Sequence, residues 1–321
     1  MKRILIIQTA FLGDVILATP VLAELKRLFP DAQIDVLVKK GNEELLQNNP
    51  HLNTIYTFEK NKGKFYEIIR LIKLFRKVQY DLSINLHRFG SSGLLTILSG
   101  AREKIGFSKN PFSFGYTKKI DHKIGDGTHE VERNLALIKD FGGISIRRPE
   151  LFPGQNHFDK IERYCYEKFY CMAPASVWFT KQLPIEKWIE LISLKANEGI
   201  IYLIGAPKDR MLCDSIIKQV KEKNVINLCG ELNLLESAAL ISKSERSFVN
   251  DSGPLHIASA MNAPVTSFFC STIPDFGFGP LSEDATMLQT KENLSCRPCG
   301  LHGHKECPEG HFKCGFGIET F

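Results

Sequence analysis

The chain has 321 residues, 43% of them hydrophobic and 24% charged, with a mean hydropathy of −0.11. That composition excludes a disordered chain, a collagen-like repeat and a disulfide miniprotein, and the length suits two domains, each with its own core. The formal charge of +5 is uneven: residues 1–150 hold 24 Lys and Arg against 16 Asp and Glu, a net of +8, and the rest hold 17 against 20, a net of −3.

In chain order, residues 3–8 form a short apolar run of buried-strand type, and residues 14–29 follow with helical periodicity until Pro30 stops them. Strand-like runs recur at 33–38, 54–58, 81–85 and 104–107, and helical patterns at 65–78, 93–99 and 130–141. Residues 147–154 carry two prolines and no periodicity, which predicts a linker. Beyond it, strands are expected at 170–173, 200–204, 225–228, 247–250 and 265–269. Helices are expected at 184–197, 208–221, 234–241 and 254–261. No close repeat at a period of 20–50 residues is visible. The alternation predicts two successive open α/β domains with parallel sheets, over 1–150 and 151–321.

No apolar run approaches the roughly 18–20 residues that span a bilayer. The basic start reaches polar Gln8 and Thr9 too soon for a signal peptide, so a cytoplasmic protein is expected. Five of the nine cysteines are scattered and read as reduced thiols. The positive first half carries no Cys/His finger, RNA-binding aromatic motif or basic tail, so nucleic acid is not an expected partner. An anionic small molecule or an anionic membrane surface fits that charge.

Ligands of open α/β sheets sit beyond the carboxyl ends of the strands, which selects four loops. The loop 8–14 lacks the three glycines of a dinucleotide fingerprint, which disfavours a pyridine-nucleotide dehydrogenase. It offers Gly13 for a tight backbone and Asp14, either a helix-start acid or a general base. The loop 248–256 ends a strand in Asn250-Asp251-Ser252-Gly253-Pro254, where the freed N–H groups of a helix start suit a pyrophosphate. Asp251 there is either a cap or a partner for hydroxyl groups. His256 either faces the phosphate or packs on the loop. The loop 173–184 contains Ser176 in a small-residue turn and Lys181, which either neutralises a leaving diphosphate or is merely solvated. The loop 205–209, with Gly205 and Asp209, is either a further ligand loop or a plain strand-to-helix turn.

Taken together, these loops resemble the lipopolysaccharide heptosyltransferases, glycosyltransferase family 9, over essentially the whole chain. The carriers are Leu12-Gly13-Asp14 with Pro20 and Leu25, the run His129-Glu130-Val131-Glu132-Arg133-Asn134, and the stretch from Lys181 to Trp188. Asn250-Asp251-Ser252-Gly253-Pro254-Leu255-His256 and Phe276-Gly277-Phe278-Gly279-Pro280 complete them. The resemblance implies a GT-B fold, two Rossmann-like domains facing across a cleft, with the acceptor in the first and the nucleotide sugar in the second. It implies inverting transfer of heptose from ADP-L-glycero-β-D-manno-heptose to the inner core of lipid A–Kdo, at the inner membrane of a Gram-negative bacterium. It assigns Asp14 as the base, Lys181 to the leaving phosphate, and Gly13, Ser176, Gly205, Asp209, Asp251, Ser252, Gly253 and His256 to the donor side. Neither a cofactor nor a catalytic metal is implied. The bulky Val177-Trp178-Phe179 departs from the family pattern and leaves other nucleotide sugars open. A nucleotide-sugar epimerase or hydrolase would share the donor loops but need no lipid acceptor, and the basic first half argues against it.

Two further features stand apart. Residues 65–78 read as a basic amphipathic helix, either packed on a sheet with solvated cations or resting on an anionic leaflet through Arg70, Lys73, Arg76 and Lys77. Cys296, Cys299, Cys307 and Cys314 have the spacing of a structural zinc site, or belong to a metal-free loop with packed thiols.

Overall fold

The computed structural model describes residues 1–59, 61, 63–145 and 148–319. They divide into two compact units, residues 1–124 with 128–152 and residues 125–127 with 153–321.

The first unit is built on six parallel strands, β1 (Arg3–Gln8), β2 (Gln33–Lys39), β3 (Thr54–Phe58), β4 (Leu82–Asn85), β5 (Glu103–Phe107) and β6 (Lys118–Ile120). Their order is β3-β2-β1-β4-β5-β6. Central β1 is fully buried from Ile4 to Gln8, which its unbroken apolar run requires, and Ile7 pairs with Leu37 on one side and Asn85 on the other. The helices are α1 (Leu12–Ile16), α2 (Thr19–Leu28), α3 (Lys64–Val78), α4 (Gly90–Leu98) and α5 (Glu130–Ala136). Ile68, Leu71 and Phe75 of α3 share a core with Leu5, Ile7, Leu37 and Leu95.

The helix expected over 14–29 is two helices. Pro20 has no N–H to give to the Ile16 carbonyl, and the Thr19 hydroxyl donates to that oxygen instead, at 2.8 Å. The stretch read as a linker is not loose. Arg147 lies outside the described residues, but Pro149 and Leu151 are buried and the Glu150 N–H donates to Thr19 Oγ1 at 3.0 Å.

The second unit carries β7 (Phe169–Ala173), β8 (Ile200–Leu203), β9 (Val225–Asn227), β10 (Arg246–Asn250), β11 (Val265–Phe269) and β12 (Ala285–Gln289). Its parallel order is β9-β8-β7-β10-β11-β12, which repeats the first unit's 3-2-1-4-5-6 pattern strand for strand. The repeat lies in topology, and no short sequence period announces it. Its helices are α6 (Gln155–Ile161), α7 (Ile185–Lys195), α8 (Arg210–Ile217), α9 (Leu234–Lys243), α10 (Gly253–Met261) and α11 (Lys313–Phe316). Met172, Trp188, Leu203, Phe248 and Phe268 form the core, and Phe312, Cys314 and Ile318 from the end of the chain are part of it. In each unit the strand order reverses beside the first strand, at β1/β4 and at β7/β10, the position where such sheets bind ligands.

Candidate active site

At the β1/β4 point, Asp14 sits in the first turn of α1 and accepts the Phe11 N–H at 3.2 Å, so the helix-start role is real. Its carboxyl is nevertheless raised to about 6, first by burial and then by the negative charge of Glu130, with Arg88 pulling the other way. A carboxyl titrating there is largely ionised at neutral pH yet still basic enough to accept a proton. Gly13 lies one residue earlier in α1, and its carbonyl closes the helix by accepting Leu17 N–H at 2.9 Å.

Glu130 opens α5 within the 129–134 run. His129 caps that helix, accepting Val131 N–H on Nδ1 at 3.2 Å while its own N–H donates to Glu132 at 3.3 Å. Glu130 itself is buried against His122 Nε2 at 3.1 Å and Arg133 Nε at 2.7 Å. Burial alone would raise its carboxyl, but the bonds from His122 and Arg133 outweigh that and hold it below the usual range. Glu130 is therefore a fixed negative charge acting on Asp14.

Sequence reasoning did not inspect the loop after β4. There Thr9 Oγ1 and His87 Nδ1 lie 2.9 Å apart, joining residues 78 positions distant, and Arg88 follows directly. The strand-order rule would have found this loop had the order 3-2-1-4 been assumed from the alternation.

At the β7/β10 point, Asn250 is the buried fastener. Its Nδ2 donates to the carbonyls of Ala173 at 3.2 Å and Pro174 at 2.8 Å, and its Oδ1 accepts Leu183 N–H at 2.9 Å. One amide thus fixes the ends of β7 and β10 and the segment carrying Lys181. Lys181 is not a lone solvated lysine: its Nζ pairs with Asp251 Oδ2 at 2.6 Å, and the same oxygen accepts the Thr272 hydroxyl at 2.6 Å. Ser252 lies in extended backbone at the start of α10, Gly253 is its first helical residue, and together they leave the opening N–H groups of a nine-residue helix at this edge. Buried His256 packs edge-on to Phe278, with centroids 6.5 Å apart. The Ser176 carbonyl accepts Gln182 Nε2 at 2.8 Å.

Gly205 lies in the loop just after β8, where a Cβ would fall 3.0 Å from Cys229 Sγ and 3.1 Å from Asp209 Cβ. Asp209 accepts Ala206 N–H at 2.9 Å and closes the turn, so this carboxylate has a structural duty on the rim.

The Cys-rich tail also belongs to this edge. Thr180 N–H donates to His304 carbonyl at 3.1 Å, and His304 N–H to Thr180 Oγ1 at 2.7 Å. Gly303, at φ +77°, has no room for a Cβ, which would fall 2.7 Å from Thr180 Oγ1 and 3.2 Å from Lys181 Cγ. Arg297 anchors the tail on the carbonyls of Cys270 and Thr272, each at 2.7 Å. All nine cysteines are free thiols, and no three His, Cys, Asp or Glu among the described residues are grouped as a metal ion requires. Cys314 instead packs in the core, and its thiol is pushed up to about 11 by burial and by the neighbouring cysteines.

The profile of glycosyltransferase family 9 (heptosyltransferase) matches residues 68–312. The chain belongs to this family. It is 30% identical over 276 residues to lipopolysaccharide heptosyltransferase 3 of Escherichia coli K12, covering 81% of this chain and 80% of that protein. Its fold matches E. coli ADP-heptose LPS heptosyltransferase II with a TM-score of 0.81 and 22% identity, over 93% of this chain and 96% of the other. E. coli heptosyltransferase WaaC with ADP matches at a TM-score of 0.73 and 20% identity, over 89% and 92%. As a family 9 glycosyltransferase the chain has the expected pair of Rossmann-like parallel sheets, and the motif residues divide between them. Gly13, Asp14 and the 129–134 run lie in the first unit; Lys181 and the 250–256 run lie in the second. Trp188, carried in the family motif, is a core residue, 5.4 Å from Phe268 between ring centroids.

Proposed function

We propose that this chain is an inverting, metal-independent heptosyltransferase that moves heptose from ADP-L-glycero-β-D-manno-heptose to the inner core of lipid A–Kdo. The observation that carries the reading is Asp14, a carboxyl at the strand-order reversal raised to about 6 by burial and by the charge of Glu130.

Asp14 takes the proton from the acceptor hydroxyl as that oxygen attacks the anomeric carbon. The bond from that carbon to the diphosphate oxygen breaks with its electron pair, and ADP leaves from the opposite face. Negative charge grows on the departing phosphate, where Lys181 and the opening N–H groups at Ser252 and Gly253 stabilise it. Asp251, itself bound by the Thr272 hydroxyl, holds the Lys181 ammonium in place, so that its remaining N–H bonds serve the phosphate. With a lysine and a helix start in that role, the mechanism does not call for a divalent ion. Gly205, Asp209, Ser176 and His256 complete the donor side, the first two as the shape of the rim.

The first unit, with its net positive charge, takes the anionic acceptor. No helix among the described residues is long and apolar enough to cross a membrane. Contact with the anionic inner leaflet falls to α3, whose outer side exposes Phe65, Tyr66 and Ile69 followed by Lys73 and Lys77. Arg70 and Arg76 contribute less there, because Arg70 is paired with Glu67 and Arg76 Nε donates to the Leu98 carbonyl.

The test is titration calorimetry in EDTA with ADP-heptose, ADP-mannose, UDP-GlcNAc and GDP-mannose. Preference for the ADP sugars is expected; preference for a UDP or GDP sugar would remove the heptose assignment.

A further inference from the structure

The turn after β4 is more rigid than a connecting loop needs to be. His87 N–H donates to Asn85 Oδ1 at 2.9 Å, and Asn85 Nδ2 is itself bound to the Tyr116 hydroxyl at 2.8 Å. The His87 carbonyl accepts Asn110 Nδ2 at 3.1 Å and Ser92 Oγ at 3.0 Å, and the Phe89 carbonyl accepts the same two groups at 3.0 and 2.8 Å. Gly93 makes room for this, since a Cβ there would fall 2.0 Å from Asn110 Oδ1. Four buried polar side chains therefore fix three consecutive residues, His87, Arg88 and Phe89, at the reversal of strand order.

The side chains presented are unusual for a structural turn. The His87 ring is held against Thr9 across the β1/β4 junction. Arg88 is half-buried and makes no hydrogen bond or ion pair among the described residues, although its charge acts on the Asp14 carboxyl. Its guanidinium donors are thus left uncommitted at this turn, among the described residues. Its planar donor fork matches a carboxylate or a phosphate, and α4 starts two residues later with its positive end at the same place.

We propose that Thr9, His87 and Arg88 form an anion subsite that holds a carboxylate or phosphate of the acceptor beside Asp14. The subsite rests on the transferase reading only for the identity of its ligand. Its logic is positional: the anion is clamped on a preorganised turn, and the hydroxyl to be deprotonated is delivered to the base from the same molecule. The acceptor's charge also offsets Arg88, so that seating the acceptor raises the basicity of Asp14 when it is needed.

The experiment is calorimetry on the full chain with a Kdo disaccharide, its carboxyl-reduced form and inorganic phosphate as probes, with ADP as the donor-side control. Arg88→Ala should weaken disaccharide binding by roughly 10–100-fold, the range for hydrogen bonds to charged groups, and Arg88→Lys should recover part of it. His87→Ala should weaken it less. ADP binding and the melting temperature should stay put, as they should for Arg102→Ala, which removes one exposed charge elsewhere. Loss of binding with the carboxyl-reduced probe assigns the carboxylate; Arg88-dependent binding of inorganic phosphate itself, tighter than that of the disaccharide, assigns a phosphate. Disaccharide binding by Arg88→Ala equal to wild type, or no binding of any anion by wild type, overturns the subsite. A wild type that binds the anion through Arg88 but transfers no sugar overturns the transferase reading and leaves the subsite standing.

Discussion

Each unit places an aspartate at the carboxyl edge of its sheet, beside the same reversal in strand order, and the two aspartates are treated in opposite ways. Asp251 shares one oxygen between Lys181 at 2.6 Å and Thr272 at 2.6 Å, so its charge is answered on the spot. Asp14 receives backbone N–H groups, that of Phe11 at 3.2 Å and its own, and faces the fixed negative charge of Glu130. The first arrangement spends a carboxylate on holding a lysine; the second keeps a carboxylate reactive. Asp14 follows β1 and Asp251 follows β10, and in the proposed mechanism their neighbours make the first a base and the second a brace.

The most damaging way to break that contrast is Asp14→Asn. The amide keeps the size of the side chain but cannot take a proton, and turnover should fall by about 10²–10⁴-fold, the usual contribution of a positioned base. ADP affinity should hold within twofold of wild type, roughly the scatter of such titrations. Near-normal turnover in a discontinuous transfer assay would reassign the base.

On the other side, Lys181→Ala should lower kcat by about 10²–10³-fold, as removal of a charge-stabilising group at a leaving oxygen does. Its partner reports a different quantity. Asp251→Asn leaves a half-buried ammonium without a counter-charge and should lower the melting temperature, whereas Lys181→Met with Asp251→Asn together should restore much of it. A double variant as unstable as Asp251→Asn alone would show that Asp251 matters for something other than holding Lys181.

Asn250→Ala tests the scaffold under that pair. It strips partners from the carbonyls of Ala173 and Pro174 and from Leu183 N–H, all at a buried junction. A loss of about 2–3 kcal/mol in denaturant unfolding is expected, on the scale of unsatisfied buried groups. A change under about 0.5 kcal/mol, the size of an ordinary surface substitution, would mean that water replaces the amide.

What the sequence made legible follows the range of the physics. Strands β1, β2, β10 and β11 are apolar runs closed by punctuation, and those signals are local. β6 reads Lys-Lys-Ile and β12 is mostly exposed, so both edge strands lack the apolar signature and went unseen. Gly253 and Pro254 announce the loop after β10 because a strand-to-helix turn needs such residues wherever it occurs. The pairing of Lys181 with Asp251 spans 70 residues, and that of Thr9 with His87 spans 78, and no pattern within a short window encodes either. The tail's cysteine spacing left zinc and packed thiols open for the same reason, since its contacts are long-range: the fold takes Phe312 and Cys314 into the core and places Gly303 on Lys181.

A smaller effect concerns how α3 of the first unit would meet an anionic lipid surface. Neutralising Lys73 and Lys77 should weaken binding to vesicles rich in anionic lipid by about 1 kcal/mol for each charge. Adding Arg70 and Arg76 to that variant should change little, because both are already bound to the protein. Co-sedimentation equal to wild type after all four are neutralised would reject α3 as the contact.

The finest test of the contrast is the acid limb of kcat/KM. Asp14 must be ionised to act, so activity should fall as pH drops through about 6, well above the ordinary range for an aspartate. The same shift runs against stability: the native state holds this proton more tightly than the unfolded chain, so the carboxyl's contribution declines as pH rises from 3.8 toward 6. Glu130→Gln removes the second cause of the rise while keeping an acceptor for Arg133 and a partner for His122. The limb should therefore move to lower pH, yet stay above the usual aspartate value because burial is untouched. Arg88→Ala removes a charge that lowers the carboxyl, and its limb should move up. Opposite shifts from two variants that both alter charge near one carboxyl cannot come from general loosening of the fold. An acid limb that stays in place in both would mean that the titrating group is not Asp14.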